Sequence, residues 1–335
     1  MTILVTGAAG FIGYHVSCAL LARGDAVLGV DNLNPYYDVA LKQARLGLLD
    51  GRPGFSFRKL DIADGEAVQA LAAGHSDIRA IVHLAAQAGV RHSLVDPLAY
   101  VHSNVLGHLV IQEAARRLPR LQHLVYASSS SVYGSNQTLP FSETDRVDAP
   151  VSLYAATKRA GELMSHAYGH VFGLPQTGLR FFTVYGPWGR PDMAYFSFAR
   201  AIATGEPITL YDGSLRRDFT YVDDVVAGLL GVLDRPPPRA APTRLLNIGN
   251  HRSEEVRTLI ALLERELGRE AIVRTAPRPS VDVEETFAAI DAIAALTGFA
   301  PQIPLAVGIP RFAAWFRGWH GRAEGASACL AEPQG

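Results

Sequence analysis

Ile3-Leu4-Val5-Thr6-Gly7-Ala8-Ala9-Gly10-Phe11-Ile12-Gly13 decides how this chain folds. A short buried-strand run enters three spaced glycines, and the helical pattern Val16, Ala19, Leu20, Leu21 follows. Glycines let the backbone come close to a pyrophosphate, and the N-terminus of the next helix supplies amide donors and a favourable dipole. A second strand, Ala26 to Val30, ends in Asp31-Asn32, at the spacing of an acid that bonds an adenosine ribose. A carboxylate there repels a 2′-phosphate, so NAD is expected in preference to NADP.

Strand and helix keep alternating downstream. The loop Asp31 to Asp38 leads to a helix over Val39–Leu49, and a strand from Phe55 to Leu60 ends at Asp61-Ile62, within reach of an adenine. The strand Ala80 to Leu84 opens into Ala85-Ala86-Gln87-Ala88-Gly89-Val90-Arg91, whose small side chains leave room for a cofactor. One long helix is expected from Pro97 to Arg117, with Val101, Val105, Leu109 and Ala115 in helical spacing and Asn104 on its way. The strand His123 to Ala127 then enters Ser128-Ser129-Ser130-Ser131-Val132-Tyr133-Gly134, and Thr177 to Phe182 adds a sixth strand. This is the pattern of an α/β, Rossmann-like doubly wound parallel sheet. Beyond Thr183 a helix from Met193 to Thr204 and a strand from Leu245 to Ile248 break the alternation. The expected organisation is an NAD-binding domain over 1–183 with sheet contributions from about 220–250, a smaller C-terminal α/β substrate-binding cap over 184–317, and a mobile tail over 318–335.

Ser152-Leu153-Tyr154-Ala155-Ala156-Thr157-Lys158 carries the strongest chemical signal. Positions i and i+4 share a helix face, so Tyr154 and Lys158 point at one small volume. An ammonium near a phenol favours the phenolate and draws its pKa from about 10 toward neutrality, which makes Tyr154 a general base. Ala160, Leu163, Met164, Ala167 and Val171 form the apolar stripe of this helix. His166 and His170 also stand four apart, but without a third ligand they read as surface residues and no metal is expected.

The 335 residues are 48% hydrophobic and 19% charged, enough for one large α/β domain with an appendage. A formal net charge of -1 gives no electrostatic case for nucleic acid or a membrane surface as partner. The two cysteines, Cys18 and Cys329, suit a reducing compartment. With no leader-like segment before the glycine loop and no apolar run of membrane-spanning length, a cytoplasmic protein is expected.

Together these residues resemble the extended short-chain dehydrogenase/reductase family, the nucleotide-sugar epimerases and dehydratases, over roughly residues 1–317. Asp31-Asn32-Leu33-Asn34-Pro35-Tyr36-Tyr37-Asp38, Ala88-Gly89-Val90-Arg91, the run Ser128 to Gly134, and Phe181-Phe182-Thr183-Val184-Tyr185-Gly186-Pro187-Trp188-Gly189-Arg190-Pro191-Asp192-Met193 look like UDP-glucuronate 4-epimerases. The resemblance implies NAD held by Gly7, Gly10, Phe11, Ile12, Gly13, Asp31, Asn32, Asp61, Ile62, Leu84, Ala85, Ala86, Gln87 and Asn104, with Tyr154 and Lys158. It implies a catalytic set of Tyr154, Lys158, Ser129 and Ser130 at the sugar 4-hydroxyl, with Ser131 beside them. Thr183 and Arg190 would hold the sugar and its carboxylate, and Arg91 and Arg217 would bind the UDP-sugar, Arg217 at its diphosphate. Asp282 matches an aspartate that grips the uridine ribose, although Val281 stands where relatives carry glycine.

The implied reaction is 4-epimerisation through a 4-keto sugar that turns over in the pocket. For a glucuronate that intermediate is a β-keto acid, which keeps its CO₂ only if the carboxylate is held out of alignment with the carbonyl, a task suited to Arg190. A 4,6-dehydratase needs an acid pair where Ser130 and Ser131 stand, and a decarboxylase a glutamate at Ser131. A 4-epimerase of UDP-glucose or UDP-N-acetylglucosamine and a catalytically silent NAD-binding regulator remain as alternatives. The helices starting at Pro97 and Ser152 resemble those through which the family forms homodimers, and polysaccharide biosynthesis is the family's usual context.

Overall fold

The structure, a computed structural model, describes residues 1–211, 215–279 and 283–329, with side chains placed through 321. Strand β1 (Thr2–Thr6) is almost wholly buried, as a strand covered on both faces of a sheet must be. It leads through the glycine loop into α1 (Phe11–Ala22), and the alternation continues with β2 (Ala26–Asp31), α2 (Val39–Leu49), β3 (Phe55–Lys59), α3 (Gly65–Gly74) and β4 (Ile78–His83). Helix α4 (Pro97–Tyr100), a π-helical stretch over Val101–Leu106 and α5 (Gly107–Ala115) then lead to β5 (His123–Ser129), α6 (Leu153–Phe172) and β6 (Gln176–Phe181).

The chain continues through β7 (Thr183–Tyr185), α7 (Ala194–Thr204), β8 (Pro207–Tyr211), β9 (Arg216–Arg217), β10 (Phe219–Tyr221), α8 (Val222–Leu233) and β11 (Thr243–Ile248). It closes with β12 (Glu254–Glu255), α9 (Val256–Leu267), β13 (Ile272–Ala276), α10 (Asp291–Thr297) and α11 (Leu305–Cys329).

Seven strands form one parallel sheet in the order β11-β6-β5-β4-β1-β2-β3. The order reverses between β1 and β4, which opens a crevice at the carboxyl ends of the strands. This is the Rossmann-like doubly wound sheet expected, with β11 at one edge. Over the crevice lie the small pairs β8-β13 and β9-β12, with α7 and α9 closing a cluster of Ile208, Leu210, Leu215, Val256 and Ile260.

One buried charge network ties the sheet to α6. Glu162 accepts two bonds from Arg180 in β6, at 2.8 and 2.9 Å, one from Ser128 at the end of β5 at 2.6 Å, and one from Arg159 at 3.0 Å. The Glu162 and Arg180 side chains are 0% and 1% exposed. Burial pushes the Glu162 pKa up, but Arg180 and its other donors outweigh this and hold it below the ordinary 4.5. Its stabilising contribution is therefore present above pH 4.5 and lost as pH falls through the lower folded value.

Three expectations need correction. The helix expected over Pro97–Arg117 has a π-helical stretch at its centre, where Asn104 is drawn into contact with Gln87. The apolar stripe of α6 is not its buried face: Leu163 and Val171 are 54% and 65% exposed, and the buried face is Ala155, Thr157, Gly161, Glu162, Ser165 and Gly169. Small residues face inward because α6 lies close to its neighbours; a Cβ on Gly169 would come within 2.2 Å of Thr243. Finally, α11 extends past residue 317, and Trp319 packs edge-on against Trp188, so ordered packing does not stop at the boundary expected there.

Glu162→Gln leaves the Arg180 guanidinium buried without its counter-charge, and is expected to destabilise the fold by about 3–5 kcal/mol in urea unfolding at pH 7. A change below about 1 kcal/mol would show that the pair is not structurally required.

Candidate active site

A cavity of about 860 Å³ runs from the glycine loop to the cap. At the loop end, Gly7 takes φ +73° and a Cβ there would come within 2.8 Å of the Ala85 nitrogen; at Gly13 it would lie 2.0 Å from the Gly7 oxygen. No side chain caps the N-terminus of α1, so its first amides remain as donors for an anion. Asp31 ends β2 and accepts from the Leu33 nitrogen at 2.8 Å, with Lys42 of α2 3.6 Å away. This cradle fits a dinucleotide. Gly7, Gly10, Phe11, Ile12, Gly13, Asp31, Asn32, Ile62, Leu84, Ala85, Ala86 and Gln87 all line the cavity.

Two expected cofactor residues stand behind the wall. Asp61 accepts from Asn32 at 3.0 Å and from the Ala63 nitrogen at 2.9 Å, and so orients Asn32. Asn104 bonds the Gln87 nitrogen at 2.8 Å, the Gln87 oxygen at 2.9 Å and the Thr157 hydroxyl at 3.1 Å, and so braces the β4 exit loop against α6. Both support lining residues and do not line the cavity themselves.

The chemical centre is built by α6. The Ser152 hydroxyl caps it by accepting from the Ala155 nitrogen at 3.1 Å, which sets Tyr154 in the first turn and Lys158 in the second. Ser129, the last residue of β5, lines the cavity with Tyr154, and its Oγ accepts from the Ser131 nitrogen at 3.2 Å. Ser130 and Ser131 line the cavity beside it. Tyr100 packs edge-on against Tyr154 at 6.1 Å and anchors through its own hydroxyl to the Ala88 and Gly89 oxygens.

The electrostatics here correct the sequence reading. Burial pushes the Tyr154 pKa above its ordinary 10; the Ser129 bond and the Arg190 charge pull the other way without reversing it. The Lys158 ammonium is 6.0 Å from the tyrosine ring centre and donates to the Ala127 oxygen at 3.0 Å. Burial and the Arg190 charge bring Lys158 down to about 8. Burial thus favours the neutral phenol, and the Ser129 hydroxyl and the Arg190 charge oppose it without outweighing it.

On the cap side, Thr183, Arg190, Arg91 and Arg217 line the cavity. Arg91 lies 4.5 Å over the Tyr211 ring, and Arg217 donates to the Glu284 oxygen at 3.0 Å. Asp282 lies outside the described residues. Asp218, fully buried beside Arg217, accepts from the nitrogens of Asn250, His251 and Ala288 and so pins this part of the cap to the sheet. His166 and His170 are exposed on α6.

Sequence reasoning missed residues in the cavity wall and behind it. Asp192 grips Arg190, with Nε to Oδ1 3.0 Å and Nη2 to Oδ2 2.5 Å, and Tyr36 donates to Asp192 at 3.2 Å. Arg45, 0% exposed, donates to the oxygens of Ala9, Trp188 and Gly189 and to the Tyr37 hydroxyl, joining the glycine loop to the loop that carries Arg190. The signal was available: Lys42 and Arg45 share the inward face of α2 with Leu41 and Leu49, and a cation inside an apolar face implies a polar partner.

The sequence pattern of the NAD dependent epimerase/dehydratase family matches residues 3–249. UDP-glucuronate 4-epimerase 1 of Arabidopsis thaliana is 47% identical over 96% of this chain and 78% of its own length. A probable UDP-glucuronate 4-epimerase of Rhizobium meliloti (strain 1021) is 44% identical over 94% of this chain and 97% of its own. The crystal structure of UDP-glucuronic acid 4-epimerase from Bacillus cereus, in complex with UDP-glucuronic acid and NAD, superimposes with a TM-score of 0.88 at 32% identity, covering 95% of this chain and 100% of that one. With its glycine cradle, its tyrosine and serines in one cavity, and likeness along nearly its whole length, the chain belongs to the NAD-dependent epimerase/dehydratase family.

Proposed function

We propose that Tyr154, Ser129 and Lys158 carry out the 4-epimerisation of UDP-glucuronate to UDP-galacturonate. One observation carries the assignment of roles: Tyr154 and Ser129 line the same cavity as the glycine cradle and Arg190. NAD, when bound, would supply the hydride acceptor for C4 and a positively charged ring that favours the phenolate.

Tyr154 accepts the proton of the sugar 4-hydroxyl and later gives it back to the 4-oxygen. Ser129 steadies the phenol, and Ser130, with its hydroxyl in the same cavity, donates to the 4-oxygen without adding charge. Lys158 keeps a cation near the phenol and is positioned by the Ala127 oxygen. Between the two hydride transfers the 4-keto sugar turns, and it must not lose its carboxylate as CO₂. Arg190 supports this reading because its guanidinium can hold two carboxylate oxygens in one plane. Arg91, Thr183 and Arg217 bind the rest of the UDP-sugar, and Asp282 is proposed at the uridine ribose.

A homodimer goes with this reading. Leu98, Leu163 and Val171 are 78%, 54% and 65% exposed on α4 and α6, which pack against one another. An apolar face of that kind, offered by two adjoining helices, suits a second copy of the same chain. No helix among the described residues is long and apolar enough to cross a membrane. A reducing cytoplasmic setting and a role in supplying a charged sugar for polysaccharide synthesis are part of the proposal.

Purified protein incubated with UDP-glucuronate and followed by NMR is expected to form UDP-galacturonate with neither CO₂ release nor net NADH. Tyr154→Phe should retain NAD and lower kcat by at least about 100-fold. A UDP-pentose product would contradict the role of Arg190, and turnover of UDP-glucose alone would favour the neutral-sugar alternative. Light scattering is expected to give twice the chain mass, and Leu163→Glu to shift it to the single chain; a wild-type monomer would overturn the dimer.

A further inference from the structure

The Arg190 guanidinium already holds a carboxylate. Asp192 occupies its Nε/Nη2 edge with two charge-assisted bonds, 3.0 and 2.5 Å long, and these use two of the five N–H donors. Neither bond to Asp192 uses Nη1, so a second carboxylate can approach across Nη1 and Nη2. Tyr36, from the loop after β2, donates to the same Asp192 oxygen that Nη2 contacts, so Asp192 sits between a cation and a phenol. All three side chains line the cavity that holds Tyr154.

We propose that Asp192 is a positioning residue that moderates the hold of Arg190 on the sugar carboxylate, keeping it loose enough for the 4-keto sugar to turn between the two hydride transfers. The inference rests on the reading of Arg190 given above. A substrate that must show both faces of C4 has to give up one set of carboxylate contacts and take another. A guanidinium alone in a pocket of low polarity would resist that exchange, because charges attract more strongly there than in water. With Asp192 in place the guanidinium is matched at every moment, whether or not the substrate carboxylate is engaged. The second carboxylate then enters a site whose net charge is already close to zero.

Supporting this, burial alone would pull the Arg190 pKa down, and Asp192 more than offsets it. Burial likewise pushes the Asp192 pKa up, and Arg190 followed by Tyr36 outweighs it. The two charges stabilise each other as a pair. Removing the anion frees a full positive charge beside the substrate carboxylate, and a neutral sugar has nothing to answer it.

The test is Asp192→Asn, of the same size, with NAD bound. Affinity is measured by calorimetry in a Tyr154→Phe background, and turnover in the otherwise native chain. UDP-glucuronate is expected to bind about tenfold tighter or more, UDP-glucose to change less than about twofold, and kcat with UDP-glucuronate to fall about tenfold. Asp192→Ser, which removes the charge without setting an amide against the guanidinium, should show the same signs, and Asp192→Glu should restore both constants toward the native values. Retained NAD and unchanged UDP-glucose binding report an intact fold. Weaker binding of UDP-glucuronate, an equal change for both sugars, or an unchanged kcat would each overturn the proposal. Arg190→Gln separates it from the reading beneath it: if that variant keeps the native preference for UDP-glucuronate over UDP-glucose, the carboxylate is not at Arg190. If the preference is lost but Asp192→Asn binds no tighter, only the role of Asp192 falls.

Discussion

The site depends on one buried carboxylate. Glu162 stands one turn beyond Lys158 and two beyond Tyr154 on the same face of α6, and it meets Arg180 of β6 and Ser128 of β5 at one point. Ser128 is held by this carboxylate, and the next residue, Ser129, ends β5 in the cavity that Tyr154 lines. The position of Ser129 relative to the phenol is thus set from beneath by an ion pair that never meets the substrate. Burying such a pair costs desolvation comparable to what its attraction returns, so its contribution lies in registering helix against sheet more than in net stability.

Above that foundation the charges of the pocket are arranged in opposition. Burial raises the Tyr154 phenol and lowers the Lys158 ammonium, and both shifts favour the neutral forms. Arg190 acts against the first and with the second, while Asp192 limits its reach. Burial and the Arg190 charge thus oppose each other at Tyr154 and act together at Lys158.

The fold and the centre of the site were legible because their signals are local. A glycine loop between a buried strand and a helix has few other uses, and the pair Tyr154 and Lys158 is a matter of helical spacing. What was not legible depends on contacts between segments distant in the chain. Periodicity on α6 reports which face is apolar and not what covers it; the close approach at Gly169 turns the small and polar face inward. The π-helical turn at Asn104 leaves no mark in spacing. Asp192 stood in view beside Arg190, but that its carboxylate takes one edge of the guanidinium is a fact of geometry alone. The pairing of Arg180 in β6 with Glu162 on the inward face of α6 likewise joins residues far apart in the chain.

Epimerisation at C4 requires that one bound NAD remove and return the same hydride within a single site. UDP-glucuronate deuterated at C4 shows this directly. UDP-galacturonate is expected to carry the deuterium at C4 in full, with no label reaching solvent and no NADH accumulating. Loss of the label, or its transfer to a second sugar nucleotide supplied in excess, would contradict it.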